Sequence, residues 1–126
     1  MTESQHQVMV VKWSQQTSVR EKYPELKYLS HVPNEERSVK NVAIAKAMGV
    51  KRGFPDLILP VPRGGYGCLL IELKTEKGRP SDAQKWWIEH MNAEGNFAEV
   101  CHGWQSAVRT LEWYLTLEKP ERLRNG

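Results

Sequence analysis

Cysteine is scarce. Cys68 and Cys101 stand far apart in no C-x-x-C pair, which excludes a disulfide framework and a cysteine-based zinc site. The histidines His6, His31, His90 and His102 are scattered without ligand spacing, so they offer no structural zinc set either. No apolar run approaches the roughly 20 residues that span a bilayer. The opening MTESQHQVMVVKW also lacks the basic, apolar, small-residue order of a signal peptide. These absences set the expectation of a cytoplasmic protein without a membrane partner. Repeats, low-complexity tracts and linkers are missing too, so the 126 residues are expected to form one domain, 1–126, around one modest core.

An excess of either charge is also nearly missing. Eighteen basic residues against fifteen acidic ones leave a net +3, which permits nucleic-acid binding without requiring it. Position is more telling. Lys51 and Arg52 immediately precede GFPD, while Lys74, Lys77 and Arg79 lie at and after a second apolar run. A solvated rim of charge explains the same residues.

Apolar periodicity and capping signals predict helices over about Thr2–Gln16, over SVKNVAIAKAMG, over SDAQKWWIEHMNAEG and over WQSAVRTLEWYLTLE. In the first, Val8, Val11 and Gln15 share one side. In the second, Ser38 is the cap, Val42, Ala45 and Met48 face inward, and Gly49 is the stop. The third opens on an S-x-x-Q capping box of Ser81 and Gln84. LKYLSHVPN reads as extended, DLIL and CLLIELKT as a hairpin turning through PRGGYG, and NFAEVCHG as a last strand. Pro60 and Pro62 cannot donate to a ladder, so the first hairpin strand frays or meets an unpaired edge near its end. The order implies a mixed sheet flanked by helices.

The hairpin carries polar residues where apolar ones belong. Glu72 and Lys74 share a strand face, with Leu73 on the other. A regular turn about Gly64 sets Asp56 opposite Glu72, with Cβ atoms roughly 5 Å apart. Carboxylates that close repel unless a proton or a cation lies between them. Mg²⁺ suits the position, because it takes oxygen ligands, keeps several waters and often uses one or two protein carboxylates. A lysine beside metal-activated water then stabilises charge growing on an attacked phosphate, the combination that phosphodiester hydrolysis needs. A Glu72–Lys74 salt bridge on an exposed face, with Asp56 a polar strand start, accounts for the same short pattern.

With GFPD before one strand, IELK in the next and GRPSDAQ opening a helix, the chain resembles the PD-(D/E)XK nuclease superfamily. The order HVPNEERS, GVKRGFPDLILP, LLIELKTEKGRPSDAQ resembles more narrowly the virus-type replication-repair nuclease domain, VRR-NUC, from Glu3 to Tyr114. The resemblance implies a restriction-endonuclease-like α/β fold and a compact stand-alone nuclease of phages and bacteria. It implies that Asp56 and Glu72 bind Mg²⁺ or Mn²⁺ together with the Leu73 carbonyl, that Lys74 is catalytic and that Gln84 lies near the site. Glu3 and Gln7 resemble the family's N-terminal pair, with Glu3 a further metal ligand directly or through water; a first-turn acid on a helix dipole is the plainer reading of Glu3. His31, Asn34 and Arg37 resemble a stretch that holds the phosphate or the DNA backbone, although a turn also explains Pro33-Asn34. Lys51, Arg52, Lys77 and Arg79 would line the approach of DNA.

The leading expectation is therefore a metal-dependent DNA endonuclease selective for branched DNA such as a four-way junction, at work in a bacterial or phage-infected cell. The branched substrate comes from the resemblance. A nuclease of flapped or ordinary duplex DNA, a catalytically silent DNA-binding domain, and a plain α/β protein with surface acids compete with it. Five tryptophans exceed what one small core comfortably encloses. Trp87, Ile88 and Met91 form one stripe, and Val108, Leu111 and Leu115 another, leaving Trp86, Trp113 and Leu117 over. That residue of apolar surface, and the need for two symmetric cuts in a junction, suggest a homodimer. A broad inward face under a curved sheet would use up the same side chains.

Overall fold

The computed structural model describes residues 1–33 and 39–124. Helix α1 (Glu3–Gln15) begins where Thr2 Oγ1 accepts the Gln5 N–H and the Gln5 side chain returns to the Thr2 N–H, a complete capping box. Its buried face is His6, Val10 and Ser14, not the expected one, and Val8 is 51% exposed. The helix is rotated because the His6 imidazole is claimed by the far end of the chain: its Nδ1 accepts the Trp104 N–H at 3.1 Å. A short α2 (Thr17–Lys22) and a 3-10 turn over Pro24–Tyr28 follow. The segment expected to be extended is therefore a strand only at β1 (Ser30–His31). Pro24 starts the 3-10 turn with its fixed φ and absent N–H.

Helix α3 (Val39–Ala47) is shorter than expected. Met48, expected to face inward, is 79% exposed because the helix has already ended, with Gly49 at φ +90° in the turn after it. The expected cap Ser38, with Asn34 and Arg37, lies outside the described residues.

Strands β2 (Leu57–Leu59) and β3 (Leu69–Lys74) form the antiparallel hairpin, in the register Leu57–Ile71, Ile58–Leu70, Leu59–Leu69. Strand β2 stops before Pro60, and β1 covers only Leu57 and Ile58 of it, as the prolines require. Helix α4 (Asp82–Ala93) crosses over to β4 (Phe97–His102), which lies parallel to β3, and α5 (Trp104–Thr116) and α6 (Glu121–Arg124) close the chain. The sheet order is β1-β2-β3-β4, a mixed sheet flanked by helices.

Every residue of β3 is buried. Leu69, Ile71 and Leu73 face the core with Leu57, Leu59 and Cys101, against Val10 of α1 and Ala107, Leu111 and Tyr114 of α5. Leu117, expected to be left over, packs against this core and leans on the Gly64 turn. Trp86 and Trp113 stay 50% and 42% exposed. The other face of β3 carries Leu70, Glu72 and Lys74. Asn92 clips the end of α4 to β4 by donating to the Ala98 carbonyl and accepting its N–H.

Candidate active site

The parallel crossover puts the C-terminal ends of β3 and β4 beside the start of α4, and the antiparallel hairpin brings the start of β2 to the same end. Asp56, just before β2, continues the register toward Glu72, as the turn about Gly64 predicts. Its Oδ2 accepts the Leu73 N–H at 2.8 Å, so the carboxylate itself extends the ladder. The Asp56 carbonyl accepts the Val32 N–H and the His31 Nδ1–H, both at 2.9 Å. His31 thus buttresses Asp56 from β1.

Glu72 is 1% exposed, and its Oε1 has no hydrogen-bond partner. Its Oε2 accepts the Gln84 Nε2–H at 3.3 Å. The same Gln84 amide uses Oε1 to accept the Ser81 N–H at 2.8 Å. One side chain thus closes the capping box and holds the acid. Burial pushes the Glu72 carboxyl up to about 9; the adjacent Asp56 carboxyl adds to this, the Lys74 ammonium opposes it, and Glu3 adds a smaller push. The salt-bridge reading of the sequence pattern fails on burial, because Glu72 and Lys74 do not lie on an exposed face.

Lys74 is 7% exposed, and its Nζ lies 3.5 Å from Glu3 Oε2. Glu3 opens α1 as a first-turn acid and reaches the site through this ion pair. Lys51 and Arg52 are exposed in the segment leading to Asp56, and Lys77 and Arg79 are exposed in the connection between Lys74 and α4. The two basic pairs therefore occupy the two segments that flank the acids.

Sequence reasoning missed His102 and Trp87. His102 is the strand partner of Lys74, and its Nδ1–H donates to the Thr75 carbonyl at 2.9 Å. Trp87 donates its indole N–H to the Arg52 carbonyl at 3.0 Å. No local pattern signals either contact, since both acceptors are backbone carbonyls remote in sequence.

The donor set suits a hard divalent cation. Glu72 Oε1 is a buried oxygen to which no protein group donates, beside the Asp56 carboxyl, with which it can only share a proton or a cation. Among the described residues no group of three or more His, Cys, Asp and Glu converges. Carboxylate and carbonyl oxygens are the donors that an ion retaining part of its water accepts.

A model of the VRR-NUC domain matches residues 1–105. A solved structure described as a VRR_NUC domain protein is similar over 94% of this chain and 92% of its own, at 34% identity and a TM-score of 0.79. No curated protein matches the chain. Among the described residues no helix is long and apolar enough to cross a membrane. The sheet with its flanking helices is the PD-(D/E)XK type of fold, and the chain belongs to the VRR-NUC family of nuclease domains.

Proposed function

We propose that this protein is a Mg²⁺- or Mn²⁺-dependent endonuclease that hydrolyses DNA phosphodiester bonds, with selectivity for branched DNA such as a four-way junction. The observation that carries the chemistry is the buried, unpartnered Glu72 Oε1 beside Asp56, with the buried Lys74 ammonium two residues along the strand. Asp56, Glu72 and the Leu73 carbonyl would hold the cation, and Glu3 would join them on leaving Lys74. When bound, such an ion lowers the pKa of water and offsets phosphate charge.

The chain's own groups do the rest. Gln84 keeps the Glu72 carboxylate aimed by bonding one of its oxygens. Lys74 carries a buried positive charge two residues along the strand from Glu72, where it would offset the negative charge that grows on an attacked phosphate, worth most in a water-poor setting. Water attacks phosphorus as the bond to the leaving oxygen breaks. The attacking water gives a proton to solvent, the departing alkoxide takes one from solvent, and the products are a terminal phosphate and a free hydroxyl. His31, Asn34, Arg37, Lys51, Arg52, Lys77 and Arg79 would carry the DNA backbone. The branched substrate is supported by the VRR-NUC relationship and by the need of a junction for two cuts. A homodimer supplies both, with the exposed Trp86 and Trp113 as apolar contact surface. The same relationship supports the cytoplasm of a bacterial or phage-infected cell as its place of work.

A cleavage panel of junction, flap, single-stranded and duplex DNA with Mg²⁺, Mn²⁺ or EDTA tests this reading. Junction cleavage that needs the cation and disappears in Asp56→Asn is the expected result. Preference for flap or duplex would replace the substrate assignment, and an Asp56→Asn variant that cuts at the wild-type rate would remove Asp56 from the mechanism.

A further inference from the structure

We infer that Trp87 is a positioning residue of this site, and that with Gly53 it fastens the segment carrying Asp56 to the helix carrying Gln84. The inference rests on the reading of Asp56 and Glu72 as the cation-binding acids. Residues 51–55 lie outside any strand. From the β1 side, Asp56 is held by Val32 and His31 through its carbonyl. On the other side its approach is fixed by α4. The Trp87 indole N–H donates to the Arg52 carbonyl at 3.0 Å, and the indole ring meets Phe54 edge to face at 5.1 Å between centroids. Between these two grips sits Gly53, at φ +83°. A Cβ there would lie 2.8 Å from the Ala83 carbonyl carbon and 2.9 Å from the Gln84 nitrogen. Only glycine allows so close an approach at that φ.

Helix periodicity completes the link. Trp87 lies three positions after Gln84 and so shares its side of α4. One turn of helix thus grips Glu72 through Gln84 and the Asp56 segment through Gly53 and Trp87. Asp56 comes from the segment before β2 and Glu72 from β3; the hairpin sets their register, and α4 grips both. Loss of the indole N–H frees Arg52, whose carbonyl can turn to water, so the fold loses little while Asp56 loses a fixed approach.

The test compares Trp87→Phe, which keeps a ring against Phe54 and removes the N–H, with Gly53→Ala and Asp56→Asn. Three quantities are read on the intact protein: Mn²⁺ affinity by calorimetry, hydrogen exchange of the Leu73 amide against that of Ile71, and kcat and KM on a four-way junction. Trp87→Phe and Gly53→Ala are expected to weaken Mn²⁺ binding about threefold to tenfold and to lower kcat about tenfold, as small misplacements of reacting groups do. KM should stay within about twofold, and Leu73 should exchange faster while Ile71 does not. Leu73 is diagnostic because its N–H is held by the Asp56 carboxylate. Wild-type Mn²⁺ affinity and Leu73 protection in a folded Trp87→Phe or Gly53→Ala variant overturn the assignment, as does a uniform loss of protection across β3. An Asp56→Asn variant with unchanged Mn²⁺ affinity would sink the cation reading instead, and the Leu73 amide would still decide whether Trp87 positions Asp56.

Discussion

Replacing Glu72 by glutamine should stabilise the cation-free protein while abolishing its cleavage. Glu72 is buried with Oε1 unpartnered, and burial with the nearby Asp56 carboxyl pushes it up to about 9 from an ordinary 4.5. A folded-state value above the unfolded one means the native chain keeps a proton that the unfolded chain has released. The associated stability is fully present below the ordinary value and is lost as pH rises through about 9. At about pH 7.5, about three pH units above the ordinary value, the loss has an upper figure of about 4 kcal/mol that water penetration and relaxation reduce to about 1–3. For a chain of this size that is about 3–15 °C in Tm. Glutamine fits the cavity: its oxygen can accept from Gln84 while its N–H₂ group replaces the orphaned Oε1 beside Asp56. Thermal melts in EDTA between about pH 5 and pH 9 should show wild-type Tm falling relative to Glu72→Gln as pH rises. Added Mg²⁺ should reverse the order, because a ligand that binds only the native wild-type site stabilises it by mass action. Parallel Tm curves for the two proteins in EDTA would refute the reasoning, since they would mean that the buried carboxylate costs nothing.

Lys74→Ala should lower the cleavage rate about 10²-fold and leave Mn²⁺ affinity unchanged or improved, because Glu3 loses its ion-pair partner; unchanged turnover would reduce Lys74 to a partner of Glu3. DNA affinity should fall steeply with salt. Neutralising two of Lys51, Arg52, Lys77 and Arg79 should lower the log–log slope by up to about 2, and a slope unmoved by such variants would place the DNA elsewhere. Light scattering at micromolar concentration should give a dimer that Trp86→Asp or Trp113→Asp splits; a monomer with and without junction DNA would count against symmetric cutting.

The parts of this site that could be read from the letters alone are those set by short-range geometry. The pairing of Leu57 with Ile71 is the one expected from a turn about Gly64, although the turn itself bridges Arg63 to Tyr66, and strand alternation then aligns Asp56, Glu72 and Lys74. Ser81 and Gln84 announce the start of α4. The misreadings arise where a distant group decides. The buried face of α1 follows His6, whose partner amide is 98 residues away, and Trp87 serves a carbonyl 35 residues before it. Helical periodicity assigns both residues to an apolar stripe or to none, because it counts side chains and cannot see which backbone group awaits them. Burial of Glu72 has the same origin. Alternation says which face the acid takes, but packing by α4 decides whether that face is wet, and with it whether an acid pair is ordinary surface or a site that must take a proton or a cation. The motif specifies the donors, and the long-range contacts supply the desolvation that makes them reactive.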